Sequence, residues 1–183
     1  MYSAYETLMS MGETGRAYYK KAIDALSELD FSNSSEYIIT IAYGGNDSSS
    51  SVPLGEVDSM DKRTLYGSMN YVIKTLLQKY PDIDVRIVTP TYVSYSKEKD
   101  ESGNYVSTED SDSRLIGEYT RREYCKKIYE HALELKIPAY DMYNRGGRNK
   151  YNIYSFTVDG IHPTTELAIK DTANRYLCIL STF

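Results

Sequence analysis

The stretch "YIITIAYGGND", residues 37 to 47, constrains this chain more than any other. Seven consecutive β-branched, aromatic or small residues are too continuous for a strand with one wet face, and two glycines close the run. The pattern predicts a buried, parallel strand ending in a tight turn. A second strand is expected in "DVRIVTP", stopped by Pro90, and a short third one in "IPAYDMY". Between them the apolar spacing turns helical. Leu65, Met69, Val72, Ile73, Leu76 and Leu77 share one face of a helix over 64–80, ended by Pro81. Tyr124, Ile128, Ala132 and Leu135 do the same over about 117–135. A final helix over about 165–180 should bury Leu167, Ala168, Ala173, Tyr176, Leu177 and Leu180, and Tyr19, Ile23 and Leu26 predict a helix over 18–30. Strands alternating with helices imply an α/β fold with a parallel sheet covered on both faces. Such sheets carry their chemistry at the carboxyl ends of the strands.

The length of 183 residues suits one domain, 1–183. Within it the polar, charge-rich segment 96–114 is expected as a surface loop insertion, either solvated or acting as a lid. A formal net charge of −5 argues against nucleic acid and anionic membranes as partners. No apolar run is long enough for a membrane span, and "MYSAYETLMS" lacks signal-peptide character, so the expectation is a soluble chain. Cys125 and Cys178 fit no disulfide or metal pattern and are expected as half-buried thiols. With two histidines in total, a multi-histidine metal site is not expected, and no cofactor is implied. Most of the 20 tyrosines lie beside apolar residues and are expected in packing.

Two short stretches hold residue types that do chemistry. "GGND" places Gly44, Gly45, Asn46 and Asp47 at the end of the first strand, where glycines admit close approach of a ligand and Asn46 offers an amide donor; ordinary turn chemistry reads the same way. "TVDGIHPTTE" places Asp159 three residues before His162, on the loop ahead of the last helix. A turn there can set the carboxylate on one ring nitrogen and leave the other free as a base. Thr164 or Thr165 can then cap the helix; the alternative is a helix-capping Asp159 beside an incidental histidine. His131 sits within a helical pattern and reads as structural.

Gly-x-Asn-Asp after a strand and Asp-Gly-Ile-His-Pro before the last helix together resemble the SGNH (GDSL-like) hydrolase family. The resemblance implies a flavodoxin-like three-layer α/β/α fold and a serine esterase or acylhydrolase acting on carbohydrate or lipid esters, acetyl esters among them. It assigns Asp159 and His162 to the catalytic triad and Asn46 to the oxyanion hole, with Gly44, Gly45 and Asp47 shaping the turn. "MSMGETG" resembles the block whose glycine amide is the second oxyanion donor, here Gly15, with Gly12 as the competing choice. The family's Gly-Asp-Ser block occurs nowhere in the chain, so no nucleophile is assigned. Ser10 and Ser48 to Ser51 are the serines nearest the proposed site in sequence. The reading that follows is an N-terminally incomplete domain without its first strand, inactive as this fragment. A homo-oligomer in which a second copy fills the gap is a variant of it. The alternative function is a non-catalytic carbohydrate- or protein-binding domain on the hydrolase fold.

Overall fold

The computed structural model describes residues 35, 37–163 and 165–181. The helix expected over 18–30 lies outside the described residues, as do Ser10, Gly12 and Gly15. In chain order the elements are β1 (Ile38–Ala42), α1 (Gly45–Ser49), α2 (Leu65–Lys79), β2 (Asp84–Val88), two short hairpins β3 (Glu98–Lys99) with β4 (Tyr105–Val106) and β5 (Leu115–Ile116) with β6 (Tyr119–Thr120), then α3 (Arg121–Glu134), β7 (Ala139–Tyr140), α4 (Met142–Arg145), α5 (Ile153–Phe156) and α6 (Glu166–Ser181). The three strands expected from the sequence form one sheet in the order β1-β2-β7, and β2 runs parallel to β7 with Ile87 opposite Ala139 and Val88 opposite Tyr140.

The described residues divide into two compact units, one of those up to Thr40 with Val52–Val85, the other of Ile41–Ser51 with those from Arg86 onward. In the first, α2 starts at Thr64, whose hydroxyl accepts from Gly67 N, and buries Leu65, Met69 and Ile73 as their helical spacing predicts. Asn70, on the same helix, donates to the carbonyls of Val57 and Ser59 and so ties down the loop ahead of it.

In the second unit, α3 begins four residues later than its apolar pattern suggests. Gly117 turns the β5–β6 hairpin, and Thr120 then opens the helix with a reciprocal cap: its hydroxyl accepts from Glu123 N while Glu123 Oε2 accepts from Thr120 N at 2.8 Å. Thr120→Ala should lower stability by about 1 kcal/mol, measured as a shift in the urea midpoint. Buried Tyr124, Ile128 and Ala132 form the inner face of α3 as expected, and His131 is buried within the same helix. Two hydrophobic clusters hold the unit together. Cys125 packs with Tyr92, Tyr143 and Ile153, and Val88 packs with Met142 and Ile179.

Three expectations need correction. β1 is not the most buried strand: both end residues are exposed and the middle three half-buried, whereas β2 is buried from Val85 to Val88. Among the described residues β1 is an edge of the sheet, so its continuous apolar run is not enclosed as a central strand would be. α6 also presents a different face. Ala168 is buried and Tyr176 half-buried as expected, but Ala173 is exposed, Leu177 is 64% exposed, and Leu167 and Leu180 are exposed too; Ile179 is buried instead. Polar anchors select this rotation: Asp171 and Arg175 bind each other, Arg175 donates to Arg145 O, Thr172 accepts from Arg148, and buried Arg86 donates to the terminal carbonyls of Ile179 and Leu180. Finally, Cys125 is buried but Cys178 is exposed.

Segment 96–114 contains the β3–β4 hairpin and returns to the body at Asp110 and Ser111, both buried. Asp110 accepts from Tyr92 Oη at 2.5 Å, and Ser111 N donates to Val93 O.

Candidate active site

The glycine pair after β1 has two separate steric duties. Gly44 caps α1 with φ 104°, a left-handed conformation that side chains resist, and a Cβ there would stand 2.4 Å from Ile128 Cδ1. Gly45 leaves room for a side chain rather than for a turn, since a Cβ on it would stand 2.9 Å from Arg121 Nη2. Asn46 follows in α1, exposed, and its carboxamide makes no hydrogen bond among the described residues. Asp47 is buried behind it.

The loop from Thr157 to Pro163 is built with equal economy. Gly160, at φ 83°, lets its carbonyl accept from Ser94 N at 2.9 Å, and a Cβ there would meet Ser94 O at 2.6 Å. Thr157 Oγ1 accepts from Gly160 N, and Thr157 and Pro163 form an antiparallel bridge that closes the loop. Inside it Asp159 Oδ1 accepts from the backbone N–H groups of Ile161 and His162, at 2.9 and 2.8 Å. Its other oxygen, Oδ2, lies 2.6 Å from His162 Nδ1. The hydrogen bond from the His162 ring, followed by the two backbone donors, holds the Asp159 carboxyl far below the usual carboxylate range. An ionised carboxylate can only accept, so Nδ1 carries a proton, and in the neutral ring the lone pair is on Nε2. The His162 side chain is 71% exposed, which leaves Nε2 accessible. Thr165 then caps α6 by accepting from Ala168 N, one of the two threonines expected for that role; Thr164 lies outside the described residues.

A cavity of about 250 Å³ gathers the carboxyl ends of all three strands: Ala42, Tyr43 and Gly45 after β1, Thr89 to Thr91 after β2, and Met142 after β7. Pro163 lines it as well. Asn46 and His162 thus each adjoin a lining residue in sequence, while Asn46, Gly44, Asp47 and Asp159 are not themselves in the lining. No serine or cysteine among the described residues lines the cavity. Of the nearby serines, Ser48 is buried and donates to Gly45 O. Burial pushes the Cys125 thiol up to about 12, so it is no nucleophile at neutral pH. Among the described residues, no group of three or more His, Cys, Asp or Glu could hold a metal, and no helix is long and apolar enough to cross a membrane.

Sequence reasoning missed Arg121, Arg148 and Arg175, which also line the cavity. They stand at the first turn of α3, in the loop after α4 and inside α6, and no local pattern links three arginines so far apart in the chain.

No protein-family model matches the chain, and no curated protein matches it. Solved structures do. One, at 25% identity and a TM-score of 0.64, covers 79% of this chain; the chain spans 64% of that protein, less than two thirds of its length. A protein from Lactobacillus plantarum aligns at 20% identity and a TM-score of 0.63, over 80% of this chain and 67% of its own. A possible lipase from Chitinophaga pinensis aligns at 19% identity and a TM-score of 0.53, over 78% of this chain and 73% of its own. The fold is α/β/α. It is shared with a protein named as a possible lipase, and the strand-end position of the cavity is where this architecture keeps its chemistry.

Proposed function

We propose that this chain carries the acid–base half of an SGNH-type serine ester hydrolase acting on an acyl ester of a carbohydrate or lipid. The observation that carries the reading is the 2.6 Å contact between Asp159 and His162 Nδ1, on a loop whose next residue, Pro163, lines the strand-end cavity. In the proposed reaction a serine hydroxyl attacks the acyl carbonyl and His162 Nε2 takes its proton, then passes it to the departing alcohol. Asp159 keeps the ring in the required tautomer and stabilises the imidazolium. The Asn46 carboxamide, free of protein partners among the described residues, and the Gly15 amide donate to the oxyanion. The serine itself comes from outside the described lining. A water molecule, activated by the same histidine, releases the acid in the second half of the cycle.

Hydrolysis of a chromogenic acetyl ester by the 183-residue chain and by a version extended upstream tests the proposal. Turnover by either form supports it; turnover by neither sinks it and favours the second reading, a binding domain on the same fold. That second reading rests on the lack of serine and cysteine in the described lining and on a second, polar cavity of about 710 Å³, sharing Arg148 with the first, whose lining includes Tyr92, Asp110, Asn149 and the exposed Tyr151. In an active form, Asn46→Ala should lower kcat about a hundredfold or more with KM little changed. An unaltered kcat would remove Asn46 from the mechanism.

A further inference from the structure

Three arginines line the strand-end cavity, Arg148 lining the second cavity too, and their counter-charges do not match them. Arg175 is neutralised: its Nε and Nη2 both bind Asp171, at 3.0 and 2.9 Å. Arg148 reaches the same carboxylate only at 3.6 Å and donates to Thr172 Oγ1 at 2.8 Å. Arg121 has no carboxylate within ion-pair distance among the described residues, although it is only 9% exposed. Asp141, at the start of α4, has its oxygens taken by Asn144 N and Asn144 Nδ2 and faces Thr89 Oγ1 at 3.5 Å.

Arg121 is nevertheless held firmly. Its Nε donates to Thr91 O and its Nη1 to Gly45 O, both at 3.2 Å, and Gly45 has no side chain to displace the fork. Two of the five N–H donors of a guanidinium are thereby used, and three have no partner among the described residues. A desolvated cation without a counter-ion is costly, and a protein with 26 acidic residues had carboxylates to spare. The lining also holds the apolar side chains of Val88, Pro90, Met142 and Pro163.

We infer that the cavity binds an oxyanion, a carboxylate or phosphate carried on a short carbon chain, with Arg121 and Arg148 as its anchors. The inference rests on the ester-hydrolase reading only in one respect: if that reading holds, the ester itself is anionic. The planar guanidinium fork suits either oxyanion, and the apolar lining residues take the carbon chain.

Calorimetric titration of the 183-residue chain with succinate, inorganic phosphate and the neutral succinamide tests it. Succinate or phosphate should bind, more weakly as salt rises, and the tighter of the two identifies a carboxylate or a phosphate; succinamide should give no heat. Arg121→Gln should weaken the tighter anion at least tenfold. Arg148→Gln should weaken it as well, and decides the matter if the first variant does not fold. Binding of neither anion, equal binding of succinamide, or undiminished binding by both glutamine variants would overturn the inference. Anion binding without ester hydrolysis in any form sinks the hydrolase proposal alone, and hydrolysis without anion binding sinks this inference alone.

Discussion

In an active form of the protein, His162→Ala is expected to lower ester turnover by about ten-thousandfold or more, the scale on which the base of a serine–histidine–aspartate site acts. The geometry makes this loss separable from unfolding. The ring is 71% exposed and its only side-chain partner among the described residues is Asp159, so removing it opens no core cavity and should leave the melting temperature nearly unchanged. Asp159→Asn should cost nearly as much, because an amide that donates to Nδ1 forces the ring proton onto Nε2 and abolishes the base. The pH profile provides a second check. Asp159 is held below the ordinary carboxylate range by its hydrogen bonds, so the pair persists as pH falls through about 3.9, the unperturbed aspartate value, and is lost only below it. Protonation of Asp159 should therefore put no limb on the rate profile above about pH 4. A His162→Ala variant within tenfold of the parent would show that the dyad is a turn-forming hydrogen bond and nothing more.

Gly44→Ala is expected to destabilise the fold by about 2–5 kcal/mol, combining backbone strain at positive φ with overpacking of a closed contact. The methyl group would enter at φ 104° and meet Ile128 Cδ1 at 2.4 Å. Ile128 is buried on the inner face of α3 with little room to withdraw. Against a typical domain stability of about 5–15 kcal/mol, the loss should be plain as a lowered urea midpoint and melting temperature. Gly44→Ala together with Ile128→Val should recover part of it, since shortening the side chain removes the colliding carbon. A Gly44→Ala midpoint equal to that of the parent would mean that the strand-end turn is freer than its geometry implies.

Much of the architecture is legible from residue order. Continuous β-branched runs and 3.6-residue apolar spacing are local properties, so β1, β2, β7, α2, α3 and α6 fall close to where their patterns place them. Asp159 and His162 are legible for the same reason: three residues of separation on one turn is a short-range relation that the chain can satisfy alone. Burial is not local. The apolar stripe of α6 predicts one face, but Asp171, Thr172 and Arg175 find partners at Arg148 and Arg145 and turn the helix toward Ala168 and Ile179. Likewise β1 has the composition of a central strand and the exposure of an edge, because enclosure depends on neighbours that its own residues do not specify. The charge of the cavity is the furthest from sequence. Arg121, Arg148 and Arg175 belong to three different segments, and only the folding of those segments around the strand ends brings them to one cavity. Short-range chemistry is written in the order of the residues, whereas the summed field at a site depends on distances that exist only after the chain has folded.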